Sequence, residues 1–138
     1  MWWFQTGTTA TNAGLATGYE ERTYSPRVAL SHNDYTWTTD GVGNPYIAST
    51  LSTLGSVQKK TAQTLDNYGN VTQTQLFDWG SLSTPARTYN NTYLINQIYA
   101  PKYILNRLLA STVTPAGGSQ VTLVTNAYDS SPTDVVGM

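Results

Sequence analysis

Histidine occurs once in the 138 residues, in the run Ser31-His32-Asn33-Asp34. A hydrolase would pair His32 with Asp34 and take Ser25 or Ser31 as nucleophile, but no Gly-x-Ser-x-Gly elbow holds such a serine. Glu20 and Glu21 are the nearest thing to a glycosidase acid pair. Adjacent residues on a strand point to opposite faces, so these two cannot flank one glycosidic bond. Cysteine is absent, which removes a thiol nucleophile, a thiolate zinc site and a disulfide scaffold. Lys59-Lys60 reads as a pair that protects a sheet edge, not as a phosphate site. No glycine-rich phosphate loop precedes a helix. The expectation is a protein that is not an enzyme and carries no cofactor.

The residues left for binding are aromatic. Trp37, Tyr46 and Trp79, with Tyr35 and Tyr68, would make a sugar-stacking platform if they shared one exposed face; otherwise they pack the sheet. Asn70-Val-Thr72 and Asn90-Asn-Thr92 fit the N-glycosylation pattern, which matters only in a secretory eukaryotic setting.

The elements that would position these residues are written in the composition. Charged residues make up 11%, well below the roughly one quarter of ordinary soluble domains. In their place stand 23 Thr, 11 Ser and 10 Asn, with ten Tyr leading the aromatics. Thr and aromatic side chains favour pleated surfaces over helices, so the chain is expected to be all-β. Seven basic against eight acidic residues leave no cationic excess to displace counterions from nucleic acid. No apolar run has the length of a membrane helix. Met1-Trp2-Trp3-Phe4 is apolar but lacks a basic region before it, so no signal peptide is expected.

Residues 1–18 read as a flexible or docking arm, 19–130 as a series of β-hairpins and 131–138 as a tail. Three hairpins stand out. Tyr35–Thr39 and Pro45–Leu51 flank a glycine-bearing loop, as do Val57–Leu65 and Val71–Phe77, and Ala110–Thr114 and Gln120–Thr125. The first two loops share the pattern Asp-x-x-Gly-Asn, at Asp40/Gly43/Asn44 and Asp66/Gly69/Asn70, 26 residues apart. Each letter has a reason. Asp accepts hydrogen bonds from amides further along the turn, Gly supplies a positive φ, and Asn starts the return strand. A calcium loop would need more carboxylates than one per turn. Between 94 and 109 the spacing of Ile95, Ile98, Leu105, Leu108 and Leu109 suggests a short helical turn before Pro101, or two strands with a corner. Val71–Phe77 and Gln120–Thr125 alternate in a way that gives one partly apolar face and one face of Thr and Gln.

Lys60-Thr-Ala-Gln-Thr-Leu-Asp-Asn-Tyr-Gly-Asn-Val-Thr-Gln-Thr74 resembles a unit of the RHS or YD-repeat family, with Leu65 where the family usually has Tyr. Thr39–Asn44 and Asn126-Ala-Tyr128-Asp129 resemble the same unit. The latter keeps the Tyr-Asp pair and lacks Gly-Asn, with Pro132-Thr133 nearby. The spacing of Asn106-Arg107-Leu108 before a Thr/Val strand is similar to that in longer bacterial members. The likeness spans residues 24–130. It implies an antiparallel β-hairpin meander from a hollow shell that encloses a toxic polypeptide or forms a cell-surface scaffold. The protein is then secreted or displayed, and a chain of this length supplies only a patch of wall. Its expected partners are neighbouring repeats or copies of itself through open edges, an enclosed polypeptide, or glycans. The self-cleaving aspartyl motif of bacterial members has no counterpart around Asp129 or Asp134.

Overall fold

The computed structural model describes residues 1–4, 14–96 and 99–128, with the side chains of 2–4 left aside. The fold is all-β. Nine strands form one antiparallel sheet: β1 Trp2–Phe4, β2 Ala16–Arg22, β3 Ala29–Thr39, β4 Pro45–Leu54, β5 Val57–Leu65, β6 Val71–Leu76, β7 Arg87–Leu94, β8 Arg107–Pro115 and β9 Val121–Thr125. Their order in the sheet is their order in the chain. Every contact between these strands joins sequence neighbours, so among the described residues no second layer covers either face. Among the described residues, β1 and β9 each have a single partner strand.

Directly paired residues share a face, and the next pair along takes the other. One face carries the row Thr36, Ser49, Ala62, Gln75, Thr88, Thr114 from β3 to β8. The row beside it, on the opposite face, is Tyr35, Thr50, Thr61, Leu76, Arg87, Pro115. That second face also holds Trp37 against Ile47, Leu54 against Val57, and Tyr89 against Val113. The first face is rich in Thr, Ser and Gln but also carries Leu51 and Lys60, and the second is partly apolar, so the two faces differ less sharply than the sequence suggested. With one layer only, burial is slight. Phe77 and Tyr99 are the buried apolar side chains among the described residues.

The turns alternate between two ends of the sheet. At the end that holds the turns 40–44 and 66–70, each hairpin carries one bulge in its second strand, where the register skips Thr17, Ala48, Thr72 and Leu109. A bulge bends its strand and increases the local twist. Four of them in line distort this end in a repeated way.

Several expectations need correction. Within 1–18 the apolar start docks as β1 against β2, the docking alternative, while β2 begins at Ala16, three residues before the expected boundary. Lys59 and Lys60 are on β5, an interior strand between β4 and β6, and guard no edge. The short helical turn expected within 94–109 is present at Ala100–Lys102, but it contains Pro101 instead of ending before it. Proline is tolerated at the first helical positions because the amide it lacks would be unpaired there anyway. The 131–138 tail and Ile98 lie outside the described residues.

Candidate functional site

The two Asp-x-x-Gly-Asn turns are built alike. In the first, Asp40 Oδ1 accepts from Val42 N at 3.0 Å and Asn44 N at 2.8 Å, and Oδ2 accepts from Asn44 Nδ2 at 3.0 Å. In the second, Asp66 Oδ1 accepts from Tyr68 N at 2.8 Å and Asn70 N at 2.9 Å, and Oδ2 from Asn70 Nδ2 at 2.9 Å. Gly43 and Gly69 take φ of +94° and +81°, a region that side chains with a Cβ resist. Burial pushes the Asp40 carboxyl up. The hydrogen bonds from Asn44, backbone and side chain, and from the Val42 and Gly43 amides outweigh it and hold the carboxyl below its ordinary value. With N–H donors on both oxygens, the carboxylate serves the turn and not a cation.

The turns also touch. Asn67 places its side chain where a Cβ on Gly41 would stand. On its far side the second turn meets the β7–β8 loop, because Asn70 Nδ2 donates to Leu105 O at 2.7 Å. That loop is held by Asn96, whose Oδ1 accepts from Tyr99 N at 3.0 Å. Tyr99 itself is 2% exposed, and its ring centroid lies 4.4 Å from the Arg107 guanidinium carbon. The same carbon is 4.9 Å from the ring of Tyr128, whose Oη donates to Leu108 O at 2.8 Å. Asn126 Nδ2 donates to that carbonyl as well, at 2.8 Å. Tyr128 thus pins the chain after β9 to β8. Asp129 lies outside the described residues.

The aromatic set does not converge. Trp37 pairs with Ile47 while Tyr46 pairs with Thr38, which puts Trp37 and Tyr46 on opposite faces. Trp37 Nε1 donates to Ala16 O at 2.7 Å, reaching across to β2. Trp79 stands beside Lys59 at the other end of the sheet, with about 20 Å of β5 between Lys59 and the 66–70 turn that carries Tyr68. No shared platform forms.

Nor do the hydrolase residues meet. His32 Nε2 lies 2.6 Å from Asp34 Oδ1, a contact natural to residues two apart on one face. Ser31 faces the other way, its Oγ donating to Glu21 Oε2 at 3.2 Å. Glu20 sits opposite His32 and Glu21 opposite Ser31, so the two carboxylates stand on different faces as expected. Both glycosylation-pattern asparagines use their side chains in hydrogen bonds, Asn70 to its turn and the β7–β8 loop as above and Asn90 accepting from Gln73 Nε2 at 3.0 Å.

Two features went unread in the sequence. Gly55-Ser56, with Gly55 at φ +60°, closes β4 onto β5 in a two-residue hairpin; the dipeptide Gly-Ser between two β-rich runs was the signal. The Asn70 link to Leu105 spans 35 residues and has no local signature. Compared with known proteins, the chain matches no family model, no curated protein and no solved structure.

Proposed function

We propose that this chain is one arc of the wall of a hollow β-shell of the RHS or YD-repeat kind. It is a structural module that encloses a polypeptide or builds a secreted or cell-surface scaffold. The observation that carries this reading is the single-layer sheet laid down in chain order, with chemically matched turns in contact at one end. A wall needs two solvent-facing or cargo-facing sides, which a face rich in Thr, Ser and Gln and a partly apolar face supply. It also needs edges that accept more strands, and β1 and β9 each offer one.

The test has two parts. The reading frame on both sides of this segment should encode dozens more hairpin units; unrelated sequence on both sides would overturn the proposal. The isolated chain should self-associate through its open edges in size-exclusion chromatography with light scattering. A strictly monomeric, monodisperse profile would contradict the edge argument.

A further inference from the structure

β6 ends at Leu76, yet the chain follows the flank of β5 for four more residues. Phe77 N donates to Lys60 O at 2.8 Å, and Gly80 N donates to Gln58 O at 2.8 Å. Between those bonds β5 advances two residues and the facing segment three. The extra residue makes a bulge in which Asp78 and Trp79 together oppose Lys59. Bulges re-aim side chains that regular alternation would place elsewhere. The side chain re-aimed here is an indole that stays 45% exposed.

That indole is held in place. Lys59 Nζ lies 5.0 Å from the Trp79 ring, and Lys60 Nζ lies 5.2 Å from the ring of buried Phe77. Lys59 and Lys60 are neighbours on one strand, so the two pairs grip the 77–80 segment from opposite faces. Trp79, Lys59, Asp78 and Thr61 line a concavity of about 240 Å³ together with Leu76 and Phe77.

The register extends this corner into a strip. Lys59 stands beside Ser52, then Asn33, then Tyr19. With strands about 4.8 Å apart, the strip runs about 19 Å from Trp79 to Tyr19. Lys59 and Asp78 offset each other at the Trp79 end, and at the far end the Tyr19 hydroxyl donates to Glu21 Oε1 at 3.4 Å. Between them Ser52 Oγ donates to Asn33 Oδ1 at 2.6 Å, so the middle of the strip is a neutral hydroxyl and amide with an aromatic ring at either end. The ligand that matches presents an apolar ring face to an indole and hydroxyls to everything else. We propose that this strip binds a linear, uncharged saccharide with one sugar stacked on Trp79. The proposal is independent of the shell reading and needs only that this face be open to solvent.

The experiment titrates the 138-residue chain with cellotetraose, maltotetraose and chitotetraose, followed by tryptophan fluorescence and calorimetry. Saturable binding of at least one sugar is expected. Trp79→Ala should weaken it by about tenfold or more, the loss of one ring's stacking. Trp79→Phe should keep most of it, and Tyr103→Ala, which alters an 89% exposed ring on the β7–β8 loop, should leave it unchanged. Should Trp79→Ala fail to fold by circular dichroism, Lys59→Gln decides the matter, with a severalfold weakening expected. No saturable binding of any of the three sugars, or undiminished binding in the folded Trp79→Ala or Lys59→Gln variant, would overturn the proposal.

Discussion

Asn44 makes one side-chain bond, to Asp40, and lies exposed at the rim of the sheet. Asn70, its counterpart 26 residues on, is 8% exposed and donates twice, to Asp66 and to Leu105. The internal geometry of the two turns agrees within a few tenths of an ångström. What differs is the neighbour. The first turn receives only Asn67 against Gly41, whereas the second is enclosed by the β7–β8 loop. A five-residue pattern therefore encodes the reversal of the chain, and its surroundings decide how much else each turn holds together.

The glycines test the shared part. Gly43→Val and Gly69→Val should each cost about 3 kcal/mol, the upper range for a β-branched residue forced to positive φ. No neighbouring atom lies within 4 Å of the added Cβ at either site, so the cost is conformational and should be equal. Urea denaturation of both variants checks this; an unequal pair would show that the turns are not equivalent even internally.

The asparagines test the difference. Asn70→Ala strands Leu105 O and half of Asp66, for about 2 kcal/mol, while Asn44→Ala should stay below about 1 kcal/mol. Equal losses would place the β7–β8 loop outside the energetics of the second turn. Hydrogen exchange at residues 99–106 offers a sharper reading, because only the Asn70 variant should lose protection there.

The smallest effect is in acid. The Asp40 carboxyl is held below its ordinary value, so its contribution is present above the unfolded-state pKa of about 3.9 and disappears as pH falls through the lower folded value. Asp40→Asn should be less stable at neutral pH and show a shallower decline of Tm between pH 5 and 2. A decline as steep as that of the parent would remove Asp40 from the acid response.

Much of this was legible because turn chemistry is local. Asp40, Gly43, Asn44 and their counterparts name their own hydrogen-bond partners within five residues, and the alternation in Gln73–Leu76 assigns faces directly. The illegible parts depend on distant chain. Residues 16–22 contain Gly18 and two glutamates, poor strand formers, and become β2 because β1 and β3 flank them. Lys59 and Lys60 resembled an edge device because the Gly55-Ser56 hairpin, which lays β4 along the other side of β5, went unread. Of the candidate binding residues, Trp79 was visible as a type, but its aim comes from a bulge whose extra residue shows only against Lys59.

The strict succession of strands has a consequence for biogenesis. Each strand emerging from the ribosome finds its partner already laid down, so no pairing must wait for a distant segment. Assembly can proceed vectorially, one loop closure at a time, and dismantling can start from whichever margin is bare.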